Sequence, residues 1–141
     1  MRNIHIVLCA VVVIIAGILF WISPYIKMDV ADSAHYTEQD KKEYEFYTPD
    51  ILKKMPRISS HYDFTFKNIS GPDIQVYNLT FYQTENTKQI EDYLTSVGYR
   101  RQDICNLELI CWRGKNAQET VYVGTLNSTK AVSVQVVEEY H

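Results

Sequence analysis

Seventeen consecutive residues, Ile6 to Ile22, carry no charged or strongly polar side chain, and Ile4 and the flank Ser23-Pro24-Tyr25-Ile26 extend the apolar character at both ends. A run of that length lies at the short end of what crosses a bilayer as a helix. Twelve of the 17 are Ile, Val, Leu or Phe. At about −0.3 to −0.6 kcal/mol each at a helix centre, the segment gains roughly −4 to −7 kcal/mol on insertion. Residues 1–26 are therefore expected to be a single transmembrane helix. Trp21 and Tyr25 suit the headgroup level, and Lys27 can snorkel to it.

A cleaved secretory signal would begin in the same way, with Arg2 as its charged start, but cleavage needs small residues one and three positions before the cut. The end of this run reads Phe20-Trp21-Ile22-Ser23-Pro24-Tyr25, with bulky rings in those places. Lipid attachment at Cys9 fits no better, because Val7 and Leu8 precede it and the apolar run continues beyond it. The expectation is an uncleaved anchor. Arg2 and the terminal amine lie on one side of the span, whereas Lys27, Asp29 and Asp32 open the other, which puts the N-terminus in the cytosol and the bulk of the chain outside.

Past the anchor, 115 of the 141 residues remain, enough for one domain with a modest core. All 17 acidic residues and 13 of the 14 basic ones fall from Lys27 onward, so this part is mildly acidic. Both signs are dispersed, and no basic stripe is available to neutralise a phosphate backbone, which argues against nucleic acid as a partner. Residues 27–47 hold a mixed charge run, Glu38-Gln39-Asp40-Lys41-Lys42-Glu43-Tyr44-Glu45, and are expected to be a polar tether, solvated or in part a short helix. The domain proper is then expected over 48–141.

Thr48-Pro49-Asp50 has the order of an N-cap, a first-turn proline and an acid near the positive helix end, so a short helix is expected from there to about Met55, before Pro56. His61 to Lys67 alternates, with Tyr62, Phe64 and Phe66 on one face, and reads as a half-buried strand. Ser70-Gly71-Pro72-Asp73 supplies a turn into a second strand, Ile74 to Tyr82. Its alternation fails around Asn78, which implies either a bulge or cover on both faces. Asn86 and Gln89 can cap a helix whose Ile90, Tyr93, Leu94 and Val97 share one face, with Gly98 at its end. Strands are expected at Leu107 to Arg113, Glu119 to Leu126 and Ala131 to Val137, the last two forming a hairpin about Asn127-Ser128-Thr129-Lys130. The fold class is α+β: a mainly antiparallel sheet of about five strands with the capped helix on one face.

Cys105 and Cys111 form an even pair in the exported part and are expected to close into a disulfide. A straight strand would hold residues six apart at about 20 Å, so closure requires Asn106 to Ile110 to double back.

No catalytic constellation stands out. Ser59-Ser60-His61-Tyr62-Asp63 contains hydrolase residue types, but alternate strand positions do not bring a nucleophile to its base, and His61 and Asp63 read as a wet strand face. His5, His35 and His141 lack metal-ligand spacing, and the glycines are scattered singly, so no metal and no cofactor is expected. Acid pairs such as Glu91-Asp92 and Glu138-Glu139 read as solvated surface. The glycosylation sequons at Asn68, Asn78 and Asn127 matter only in a pathway that modifies them. What remains is surface recognition. Tyr, Trp and Arg dominate interface hot spots, and Tyr99, Arg100, Arg101, Trp112 and Arg113 concentrate those types beside the cysteine loop. For Tyr99 and Trp112 the competing reading is core packing.

The layout resembles that of the membrane-anchored periplasmic immunity proteins of bacteriocin producers, the pesticin type most of all. It does so in overall length, in the basic start followed by Ile4 to Ile26, and in the small exported domain. That resemblance implies a non-enzymatic inhibitor in the inner membrane, with its domain in the periplasm. Its partner would be a cell-wall-degrading protein toxin, a lysozyme-like muramidase, bound at or near the glycan cleft. If charge contributes, a basic toxin face is expected to meet this acidic domain. A single-pass structural subunit of an envelope assembly would share the same layout.

Overall fold

The computed structural model describes residues 1–103, 105 and 110–140. It divides into two compact units, Met1–Ala31 and Asp32–His141.

The first unit is one helix, α1 (Arg2–Asp29), which continues through Pro24. At 1.5 Å per residue it is about 42 Å long, more than the hydrocarbon thickness of a bilayer. It is long and apolar enough to cross a membrane. It outruns the apolar run at both ends, so the polar flanks Arg2-Asn3 and Lys27-Met28-Asp29 are helical too.

The second unit contains β1 (Ser33–Tyr36), α2 (Lys41–Tyr47), α3 (Asp50–Lys53), β2 (Tyr62–Ile69), β3 (Ile74–Tyr82), α4 (Lys88–Ser96), β4 (Arg100–Gln102), β5 (Ile110–Arg113), β6 (Glu119–Leu126) and β7 (Ala131–Glu139). The strands form one sheet in the order β1-β2-β3-β7-β6-β5-β4. Every neighbouring pair is antiparallel. The α+β class, the antiparallel sheet and both long hairpins match the sequence reading. Two short edge strands, β1 and β4, add to the five expected. The expected strand from Leu107 is β5, which begins at Ile110 among the described residues; Leu107 to Leu109 lie outside them.

The short helix is there, as α2, but the tether needs correction, because the chain joins the sheet at Ser33 and residues 33–47 belong to the folded unit. Aromatic burial outweighs the charge run. Tyr36 and Tyr47 are 3% and 6% exposed. Tyr36 stacks on Phe64 with ring centroids 5.5 Å apart, and Tyr47 stacks on Phe66 at 4.7 Å. Each such pair contributes about 0.5–1.5 kcal/mol beyond its buried area. The charges of the run remain at the surface or are paired: Asp40 accepts from the Thr37 N–H at 2.9 Å, and Glu45 meets Lys53 Nζ at 2.9 Å.

Two local expectations resolve differently. Thr48 is not the cap of α3; its hydroxyl is buried against the Tyr36 hydroxyl at 2.8 Å, and Pro49 occupies the N-cap position. β3 has no bulge, since its pairing with β2 and β7 runs unbroken from Ile74 to Phe81. Instead Leu79, Thr80 and Phe81 are all buried, so this end of the strand is covered on both faces. Asn78 lies there in a polar network, accepting from Ser133 Oγ at 2.7 Å and donating to Thr80 Oγ1 at 2.8 Å.

α4 ends as expected. Gly98 takes φ +96°, its N–H bonds the Thr95 carbonyl, and the Tyr99 N–H reaches back to the Leu94 carbonyl at 2.9 Å, the Schellman pattern. At the other end Asn86 Oδ1 accepts from the Lys88 N–H at 3.0 Å, while Thr87 occupies the N-cap.

The register puts Phe64, Leu79, Phe81, Val121, Val123, Val132, Val134 and Val136 on one sheet face, all 0–1% exposed. The rings of α2 stack on this face, and α4 is tied to α3 by Tyr93 Oη donating to the Ile51 carbonyl at 2.9 Å. The opposite face carries Thr65, Lys67, Asn78, Tyr122 and Gln135.

Candidate interaction surface

The residues singled out from sequence lie on and beside one corner of the sheet. The Schellman turn at Gly98 delivers the chain into β4, whose register pairs Arg100 with Arg113, Arg101 with Trp112 and Gln102 with Cys111. Cys105 and Cys111 are disulfide-bonded with Cα atoms 6.1 Å apart. The expected pair is closed; the expected doubling back of the chain falls largely on Asn106 to Leu109, which lie outside the described residues.

The corner divides its side chains between core and solvent. Trp112 is 6% exposed and points to the core face, which settles its role as packing and removes it from the accessible surface. Its indole N–H is buried without a hydrogen-bond partner among the described residues, a cost of about 1–3 kcal/mol set against a large apolar burial. Tyr99 is half-buried. Its hydroxyl donates to a Glu119 carboxylate oxygen, and burial followed by that bond and the Glu119 charge push its pKa well up. The ring seats over Gly114, where a Cβ would come within 3.1 Å of it. Arg100, Arg101 and Arg113 are exposed. Lys115 is exposed two residues beyond. Among the described residues the ion pairs are His35–Asp63, Lys53–Glu45, Arg57–Glu38 and Lys88–Asp92, and none includes the corner arginines. Arg100, Arg101, Arg113 and Lys115 outnumber the exposed acid described beside them, Asp103, so the open charge here is locally basic.

Sequence reasoning missed two polar clusters. In the first, Arg57 donates from Nε and Nη2 to Glu38 Oε1 at 3.2 and 2.7 Å, and from Nη1 to the Leu52 and Met55 carbonyls at 2.7 and 3.2 Å. Its guanidinium lies 5.2 Å from the Tyr62 ring centroid, and Tyr62 Oη donates to Glu38 Oε2 at 2.5 Å. Burial raises the Glu38 carboxyl, but the hydrogen bonds from Tyr62 and Arg57 and the Arg57 charge outweigh it and hold the group below its ordinary value. The only sequence signal was the lone Arg57 after Pro56, and its partner lay in the presumed tether.

In the second cluster, Asp63 Oδ2 meets His35 Nε2 at 2.9 Å and Tyr82 Oη at 3.0 Å. It borders the wet sheet face, where a hollow of about 530 Å³ is lined by Ser33, His35, Thr65, Lys67, Asn78 and Gln135 among others. Ser60 Oγ stands 3.5 Å from His61 Nδ1, beyond a strong hydrogen bond, and Asp63 is turned to His35 and Tyr82, so no serine–histidine–acid relay is assembled. Among the described residues no three His, Cys, Asp or Glu side chains are grouped to hold a metal ion.

No known protein family, curated protein or solved structure matches this chain.

Proposed function

We propose that this protein is an immunity protein of the bacterial envelope, which binds and inhibits a cell-wall-degrading bacteriocin of the lysozyme-like muramidase kind. α1 would sit in the inner membrane with Arg2 cytosolic, and the α+β unit would stand in the periplasm, where such a toxin cleaves its substrate. The supporting observation is the combination of one membrane-length helix with a folded unit whose exposed arginines gather at a disulfide-braced corner. Such a surface suits binding, and anchoring raises its concentration at the membrane. The minimal folded unit for this task starts at Asp32, because a cut near Tyr47 would remove β1, α2 and the buried Tyr36.

The test uses the purified full chain in uncharged detergent, titrated into a panel of peptidoglycan hydrolases that includes lysozyme-like muramidases. One hydrolase should be bound and its activity titrated away at stoichiometric inhibitor. If none is bound or inhibited, the assignment moves to a single-pass subunit of an envelope assembly.

A further inference from the structure

We propose that Arg100 and Arg113, side by side on one face of the sheet, with Arg101 at the same edge on the other face, form a recognition surface for a carboxylate-bearing face of a protein partner. Residues 32–141 contain four arginines, and their environments divide sharply. Arg57 is 22% exposed and fully engaged with Glu38, Tyr44 and three backbone carbonyls. The other three are exposed, and none takes part in the ion pairs among the described residues. Two of them, Arg100 and Arg113, are direct cross-strand partners, and Arg101, paired with Trp112, leaves the edge strand on the other face. Like charges directly opposite one another destabilise a sheet. A local rule broken without structural compensation marks a position held for another purpose.

Edge strands often carry charge simply to block aggregation. Here the edge is already blunt. β4 has only three residues, and the Gln102 side-chain amide donates to the Arg100 carbonyl at 3.0 Å. Three arginines exceed what such an edge needs for protection. The same features disfavour an added strand, so the partner is met by side chains and not by backbone pairing. Guanidinium groups bind carboxylates through two parallel hydrogen bonds and are less strongly hydrated than ammonium groups, which suits them to ion pairs formed at an interface. The base beneath them is stiff: Trp112 is buried, and the disulfide holds Cys111 next to it. A fixed backbone beneath the side chains spares part of the ordering cost of binding.

This surface deepens the reading above, and its link to a muramidase rests on that reading. Glycoside hydrolases place a pair of carboxyl groups on either side of the scissile bond. The paired guanidinium groups of Arg100 and Arg113 are complementary to such a pair and would occupy the cleft as the substrate does.

The test has two arms, both with the full chain in uncharged detergent. In the first, the ¹⁵N-labelled protein is titrated with poly-L-glutamate. Saturable, salt-sensitive shifts centred on the side chains of Arg100, Arg101 and Arg113 are expected. The triple variant Arg100→Gln/Arg101→Gln/Arg113→Gln should bind about tenfold or more weakly, and the triple Lys variant should fall between. Lys41→Gln/Lys42→Gln serves as the control and should bind as the parent does. Shifts spread equally over Lys41 and Lys42, or unchanged binding by the triple Gln variant, would overturn the proposal whatever the partner. The second arm measures binding to lysozyme-like muramidases. Weaker binding by the triple Gln variant supports both readings, and equal binding overturns the surface while leaving the immunity reading intact. A parent chain that binds poly-L-glutamate at the corner but no muramidase contradicts the immunity reading and leaves the surface standing.

Discussion

Arg57 and the arginines of the β4–β5 corner show the same side chain put to opposite uses within one sheet. Around Arg57 every charge is answered. Glu38 takes two guanidinium nitrogens, Tyr62 donates to the other carboxylate oxygen, and the Leu52, Lys53 and Met55 carbonyls at the end of α3 receive the rest. The result is a clamp that fixes the segment after Tyr36 and the turn after α3 to the sheet. At the corner Arg100 faces Arg113 across the strand pair, and the ion pairs among the described residues leave both out. One arginine builds the fold. The other three are spared by it, and side chains the fold spares are available for a partner.

The largest effect that would sharpen this contrast is on stability at Arg57. Arg57→Met leaves Glu38 partly buried without its cation and orphans several carbonyls, and should cost about 3 kcal/mol in urea unfolding. The triple Arg100→Gln/Arg101→Gln/Arg113→Gln variant should stay within about 0.5 kcal/mol of the parent. Equal losses would erase the distinction.

Next in size is the brace beneath the corner. Replacing both Cys105 and Cys111 by Ser should cost about 2 kcal/mol by the chain-entropy argument for so short a loop, with an added loss because Cys111 is 3% exposed. The parent should show no thiol reactive to alkylation at these positions until it is reduced. Free labelling of the oxidised protein would remove the brace from the account.

A smaller effect separates the clamp from the corner by pH. Glu38 has its pKa lowered in the folded state, so the unfolded chain binds more protons in acid. The stability it contributes is fully present above its unfolded pKa and is lost as pH falls through its folded one. Between about pH 6 and pH 3 the parent should therefore lose more unfolding free energy than Glu38→Gln does. Parallel curves would show that Glu38 is not held by Arg57 in solution.

The smallest effect is at the corner itself. Arg100→Gln should stabilise the fold by up to about 0.5 kcal/mol by relieving the like-charge pair, and added salt should diminish the gain. A destabilised Arg100→Gln would mean that an acid answers this arginine after all.

Most of the sheet was legible because its hairpins carry strong local signals: strict alternation from Tyr62 to Phe66, turn residues at Ser70-Gly71-Pro72-Asp73, and valines at every second position from Val132 to Val136. Gly98 was legible for the same reason, since its left-handed turn depends on its own neighbours. β1 and the packing of α2 on the sheet were not, because what holds them is distant. Tyr36 and Tyr47 gain their burial from Phe64 and Phe66, and nothing within Glu38 to Glu45 announces that Arg57 waits for Glu38. At the corner, sequence grouped Tyr99, Trp112 and the arginines but could not sort them. Only the strand register separates Trp112, turned to the core, from Arg113 beside it, turned to solvent.

The most direct test compares three strains exporting the full chain, each challenged with a muramidase bacteriocin acting in the periplasm: the parent, the triple Gln corner variant and Lys41→Gln/Lys42→Gln. At matched abundance in the membrane, the parent and the lysine control should survive and the corner variant should lyse. Survival of the corner variant at the parent's level would contradict the claim that the arginines the fold leaves free are those that bind.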